Sequence, residues 1–477
     1  MSHDRRLALI ADLAERFGAR AVITDSQLIA PWLTDWRERY HGRADAILAP
    51  ADTADAAAMV TAANAAGVAL VPQGGNTSMV GGATPPADGS ALILSTRRMD
   101  RIRQLADGIA VAEAGVVLQR LHEAAADAGW RFPLTLGARG SATVGGLAST
   151  NAGGTQVLRH GTMRALVLGV EAVLPDGGIV DTLSPLRKDT RGYDLRHLLV
   201  GAEGTLGLIT AVSLRLVPAV AERCVAWASL SSPHDAMALL GRMESAGRDA
   251  IESFEIIPGD SLALAVAHVG GRAPVAGAHR WHVLIEAVGD RSPAPLVERI
   301  LTQALDAGLI ADAAIAKNEG EGDAWWALRD ALSAAERATG PAVQHDISVP
   351  VAAMPDFMVE TARAVEARFP GTHATAFGHL GDGNVHFHVR AAPGSEPAAF
   401  YAEQAPVITR SVHDRVVATG GSIAAEHGIG QMKLAELARL ESPERLAAQR
   451  AIKAALDPHG VMNPGKLVPL APARAPS

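Results

Sequence analysis

Histidines gather in one short stretch of this chain. The segment FGHLGDGNVHFHV, residues 377–389, places His379 and His386 seven residues apart around a Gly-Asp-Gly turn and adds His388 two further on. With His373, four of the 17 histidines fall together. In an extended segment positions i and i+2 face the same way, so His386 and His388 can point into one cavity while the turn folds His379 back toward them. About forty residues later, AAEHGIG supplies the carboxylate of Glu426 and the imidazole of His427 beside another glycine turn. Two neutral imidazoles and a carboxylate suit Zn²⁺ or a similar divalent cation and leave positions open for a substrate. A lone strand histidine is more often structural, and this spacing matches none of the short zinc motifs. It is the clustering that points to chemistry.

Such a cluster needs a scaffold, and the composition bounds it. At 477 residues the chain can build two or three domains with full-sized cores. Hydrophobic content of 48% beside 20% charged residues reads as a soluble, globular protein. Apolar runs such as ALVLGVEAVL are broken by charge well short of the ~18 to 20 residues of a membrane span. The opening MSHDRRLALIADLAERFGAR carries acids early and reads as an amphipathic helix rather than a secretory signal. Cys224, the single cysteine, rules out an internal disulfide and a cysteine-ligated iron–sulfur cluster within the chain, and it fits a reducing compartment, here expected to be the cytoplasm. A net charge of −8 with no basic run argues against a nucleic-acid partner.

Taken in order, AILAP reads as a short buried strand, Asp52 or Thr53 caps an alanine-rich helix to about Ala66, and VALVP forms a second strand. That unit delivers the chain into PQGGNTSMVGG, residues 72–82, where glycines permit positive φ and Asn76, Thr77 and Ser78 add short polar groups. Consecutive backbone N–H groups in such a loop make an anion-binding nest, and a phosphate is the expected guest. The spacing is neither a Walker loop nor GxGxxG, which disfavours an ATPase or a nicotinamide enzyme. A second small-residue stretch spans residues 134–181 and runs into strands joined at Pro175-Asp176-Gly177-Gly178, a hairpin signal. A third, GAEGTLGLIT, residues 201–210, precedes the strand AVSLRLVP. Three such segments suggest a dinucleotide laid along backbone.

In order, PQGGNT, GARGSATVGGLASTNAGG, DGGIVD, GAEGTLGLIT, FGHLGDGNVHFHV, AAEHGIG and DPHGVMNPGK resemble the FAD-linked oxidases of the vanillyl-alcohol-oxidase type. Within that superfamily the chain resembles the D-2-hydroxy acid dehydrogenase branch, which includes D-2-hydroxyglutarate dehydrogenase, D-lactate dehydrogenase and the glycolate oxidase flavin subunit. The resemblance runs from about residue 42 to 467. It implies an α+β protein with a two-part FAD-binding domain and a substrate domain of antiparallel sheet and helices. The expected boundaries are a helical segment 1–41, an FAD domain 42–219, a substrate and metal domain 220–456, and a tail 457–477 that returns to the flavin. By resemblance the FAD contacts are Pro72, Gly74, Gly75, Asn76, Thr77 and Ser78 in the first loop. The second segment adds Gly137, Ser141, Thr143, Gly145, Gly146, Asn151 and Gly153, the third Glu203, Gly204, Gly207 and Ile209, and the tail Asn463. Where some relatives carry a histidine bonded to flavin, this loop reads Gly74-Gly75-Asn76, so FAD is expected to bind noncovalently.

The resemblance also makes His379, His386 and Glu426 the ligands of a divalent metal, zinc by preference, and His427 the base. Oxidising a 2-hydroxy acid moves the C2 hydrogen to flavin N5 as hydride while the hydroxyl loses a proton. A divalent cation acidifies that hydroxyl, and a histidine accepts the proton. Substrate contacts fall on Arg329 and Ser333, four apart on one helical face, and on Gln344 and His388. Gln344 stands where relatives usually carry lysine, and His388 where hydroxyglutarate enzymes tend to carry asparagine. Both departures leave the substrate open, including a bulkier hydroxylated compound. A non-catalytic flavoprotein subunit and a zinc hydrolase are the other readings, the last leaving the glycine segments without a purpose. Electrons would pass to a separate acceptor such as an electron-transfer flavoprotein or a quinone, and the resemblance allows a homodimer.

Overall fold

In a computed structural model that describes residues 3–186 and 188–469, the chain packs as two units. One comprises Met1–Gly154, Gly161–Ala219 and Glu426–Ser477, and the other Thr155–His160 and Val220–Ala425. This division differs from the boundaries drawn on sequence. The N-terminal helix His3–Phe17 belongs with the glycine-rich segments because Leu9, Ile10 and Leu13 share a core with Met59 and Leu70, and residues 426–456 join them where Glu203 accepts from Ile429 N and Gly430 N and Lys453 Nζ donates to Thr205 O.

The first unit carries a four-stranded and a five-stranded sheet. Asp52 caps the helix Thr53–Ala66 by accepting from Asp55 N, and Gly67 ends it at φ +64°. Strand Ala69–Gln73 then runs parallel to Ala91–Ser95 in a four-stranded sheet, which aims the PQGGNT loop off a strand end. The second sheet is five-stranded and antiparallel, with Leu208–Arg215 at its centre between Ile109–Glu113 and Val167–Val173. The hairpin expected at Pro175-Asp176-Gly177-Gly178 joins Val167–Val173 to Ile179–Asp181.

The second unit is built on a seven-stranded sheet whose neighbouring strands all pair antiparallel. Its strand order is not sequential: Asp312–Ile315, Glu222–Leu230, Trp281–Gly289, Ile251–Pro258, His373–His379, Asn384–Arg390, Ala342–Ser348. Cross-strand partners share a face, so one face near its end is polar: Glu255 opposite His379, Asp346 opposite His386, Gln344 opposite His388. The helix Glu319–Ala338 lies over that face, tied down by Arg329 to Glu255 and by Gln344 Nε2 donating to Ser333 O at 3.4 Å. On the other face Phe387 packs against Phe357 of the helix Met354–Arg368 and against His345. Cys224 is buried, and burial pushes its thiol up to about 11, so it is an inert core residue. Among the described residues no helix is long and apolar enough to cross a membrane.

Candidate functional site

The histidine segment folds as the hairpin of His373–His379 and Asn384–Arg390, with Gly378 at φ +148° and Gly383 at φ +83° shaping its turn. His379 and His386 come together with ring centroids 5.7 Å apart. Glu426, peptide-bonded to the last residue of the second unit, offers a carboxylate oxygen so that one donor each from His379, His386 and Glu426 lie within 4.8 Å of one another. Asp346, Glu426 and His427 form a second, overlapping set with the same spacing. The donor types fit a divalent cation such as zinc. His388 is not in either set. It follows one cross-strand pair along the same face, opposite Gln344 and Thr375, with its ring 5.0 Å from Phe377.

Two acids invisible to the motif reading organise this cluster. Glu255, 1% exposed, accepts from His379 Nδ1 and from Arg329 Nε at 3.0 Å and Nη2 at 2.9 Å. A carboxylate against Nδ1 requires the proton there, which leaves the Nε2 lone pair for a metal or for Arg329 Nη2, 3.2 Å away. Burial alone would raise the Glu255 pKa, but the charge of Arg329 and the hydrogen bonds from His379 and Arg329 hold it down at about 2. Asp346, also buried, accepts from Asn384 Nδ2 at 3.0 Å and faces His386. The available signal was an acid within a strand, Glu255 in IESFEIIP and Asp346 in AVQHDISV. The Arg329 guanidinium, expected to meet a substrate carboxylate, pairs with Glu255 through Nε and Nη2. Ser333 lies one turn along the same helix and meets Gln344 through its carbonyl oxygen.

In the first unit the glycine segments converge. A Cβ on Gly74 would lie 2.3 Å from Thr143 Oγ1 and one on Gly75 1.8 Å from Ser141 O, so only glycine lets these two loops meet. Asn76 adopts φ +53°, and its side chain donates to Thr34 O. The Ser78 hydroxyl accepts from Gly82 N, which closes the first loop on itself. Thr143 caps the helix Val144–Thr150, and Gly145 and Gly146 begin its first turn. Asn151 ends that helix at φ +50° and accepts from Thr162 Oγ1 and Arg164 N, so its side chain serves the turn. Glu203 holds a turn of the same unit. Its carboxylate accepts from Ile429 N and Gly430 N, both at 2.8 Å, and so holds the turn that follows His427. Asn463 in the tail donates to Gly82 O and Glu203 O, which joins the first and third segments. Lys466, 4% exposed, has its pKa lowered to about 8 by burial, opposed by the charge of Glu203.

A family model described as the FAD binding domain matches residues 44–183, and one described as FAD linked oxidases, C-terminal domain, matches residues 220–467. The chain is 36% identical to a D-2-hydroxyglutarate dehydrogenase, mitochondrial, of Bos taurus, over 96% of this chain and 83% of that one. It is 34% identical to a D-2-hydroxyglutarate dehydrogenase of Xanthomonas citri pv. viticola, over 91% of each. Among solved structures, p-cresol methylhydroxylase shares the fold at a TM-score of 0.77 and 13% identity, covering 98% of this chain and 97% of that one. The chain belongs to the FAD-linked oxidases and carries their FAD-binding domain.

Proposed function

We propose that the protein oxidises a D-2-hydroxy acid to the 2-oxo acid and passes the electrons to a separate acceptor. The reading rests above all on one observation, that His379, His386 and Glu426 present metal-ligating atoms within 4.8 Å of one another in an FAD-linked oxidase. The names of its relatives support the substrate class. His379, His386 and Glu426 would hold a divalent cation, and the glycine segments would hold FAD noncovalently. When bound, these two groups supply a Lewis acid for the C2 hydroxyl and a hydride acceptor at N5. Glu255 keeps the His379 proton on Nδ1 and so keeps a lone pair toward the cation. His427, adjoining a ligand, takes the hydroxyl proton. Arg329, Ser333, Gln344 and His388 line the substrate side on one helix and one sheet face.

Anaerobic mixing of the purified yellow protein with D- and L-2-hydroxy acids of several lengths tests this. Bleaching by the D series alone is expected. If no hydroxy acid bleaches the flavin, the reading fails and a non-catalytic subunit takes its place. An electron-transfer flavoprotein or a quinone is the proposed acceptor. Cytoplasmic residence is proposed on the lone buried Cys224, although the Bos taurus relative is named as mitochondrial.

A further inference from the structure

Two arginines on the polar face of the second unit are paired with buried acids within the unit, and that bears on which hydroxy acid the site takes. Arg329 pairs with Glu255 at 2.9 Å, and Arg390 with Glu336 at 3.2 Å, both carboxylates being about 1% exposed. His373 pairs with Asp260 at 2.8 Å and with Glu366 at 3.4 Å. Between the two arginine pairs lies a row with no formal charge: Gln344 and Thr375 flank His388 across the strands, and Ser333 sits on the helix above. Lys317 is the single lysine of this unit, and it is exposed on the approach to that helix rather than on the face. The Gln344 Nε2 donates to Ser333 O, which identifies the other amide atom as oxygen. That oxygen is buried and has no hydrogen-bond partner.

From this we infer that the substrate is a 2-hydroxy acid whose tail is uncharged and can donate a hydrogen bond, rather than one carrying a second carboxylate. The inference rests on the function proposed above and narrows it. A second carboxylate brought into the row would be taken out of water beside cations already neutralised by buried acids. Burying an anion without a partner is strongly unfavourable. A hydroxyl or amide tail carries no such cost, and its donor would satisfy the Gln344 oxygen. The specificity is therefore set against the dicarboxylate as much as for the neutral tail. In this it departs from the substrate that its relatives' names state.

Three D-2-hydroxy acids of similar length decide it: 2-hydroxyglutarate, its 5-amide, and 2-hydroxyhexanoate. Each is mixed anaerobically with the holoprotein, and the rate constant of flavin reduction divided by the dissociation constant is compared. The amide is expected to lead, and both uncharged acids to exceed the dicarboxylate by about tenfold or more. Gln344→Lys should cut that preference at least about tenfold, and Gln344→Met should remove the lead of the amide over hexanoate. A dicarboxylate that reduces the flavin as well as the amide overturns the inference while leaving the proposed function standing. A preference unchanged in both variants overturns the role of Gln344. If none of the three bleaches the flavin, nor any shorter hydroxy acid, the proposed function falls and takes this inference with it. The wild-type panel decides even if Gln344→Lys fails to fold.

Discussion

Replacing Glu255 with glutamine separates two things that its carboxylate does. The amide keeps one acceptor oxygen and the original shape, but it removes the charge and turns a donor toward either the guanidinium of Arg329 or the His379 ring. Glu255 is 1% exposed and the Arg329 side chain 13%, so the arginine would be left largely buried with its charge unmatched. Breaking a buried pair from one side costs about 3–5 kcal/mol, which for a unit of this size lowers Tm by roughly 10 °C. Loss of the carboxylate behind His379, a proposed metal ligand, should weaken cation binding about 10- to 100-fold. Thermal unfolding reads the first effect. Titration of metal-free protein with Zn²⁺ against a chromophoric chelator reads the second without any turnover. Adding Arg329→Met to Glu255→Gln removes both charges and should recover most of the stability while leaving zinc affinity low. Wild-type affinity and wild-type Tm in Glu255→Gln would show that the carboxylate neither neutralises Arg329 nor orients His379.

Three further outcomes are expected. His427→Ala should retain FAD and metal yet lose about 100-fold or more in the rate of flavin reduction by a hydroxy acid, and reduction at the normal rate would remove His427 from proton transfer. Chelation should stop reduction without altering the flavin spectrum, with zinc restoring it, whereas undiminished reduction by protein shown to be metal-free would leave the ligand set without a catalytic purpose. Lys466 titrates near 8 when folded against an ordinary value of 10.5. Between those values the unfolded chain holds the extra proton, so stability gains with rising pH across that window and the burial penalty is fully present below it. The Tm of Lys466→Met minus that of wild type should therefore fall from pH 7.5 to 10.5, and a pH-independent difference would contradict the burial of a charged Lys466.

Local chemistry was readable from the sequence wherever a residue's role is decided by its neighbours in the chain. Asp52 before an alanine-rich run, glycines at 177 and 178 between apolar strands, and the paired glycines at 74 and 75 each announce a backbone geometry that only a few residues tolerate. The hairpin that joins His379 to His386 is of the same kind. Glu255 is not, because it meets His379 from 124 residues away. The contact exists only because the sheet order places Ile251–Pro258 beside His373–His379, and nothing in either strand states that neighbour. The pairing of Arg329 was hidden for the same reason. As a helix residue it looked available, and its pairing depends on an acid that only the tertiary register supplies.

The packing boundary also has a chemical meaning that a linear division at residue 456 conceals. The chain leaves the second unit after Ala425, so the proposed ligand Glu426 and base His427 are the first two residues beyond it. Three positions on, the turn is held by Glu203, a buried non-glycine residue at φ +49° whose two carboxylate oxygens take the N–H groups of Ile429 and Gly430. Burial raises the Glu203 pKa, while those hydrogen bonds and the charges of Lys433 and Lys466 oppose the shift. A residue kept in the left-handed region at a cost in backbone strain, with its carboxylate spent on two amides, is explained by what it immobilises. The third glycine segment thus acts on the His427 turn rather than on the cofactor alone. The acid of GAEGTLG and the glycines of AEHGIG are two halves of one device for fixing where His427, the proposed base, stands.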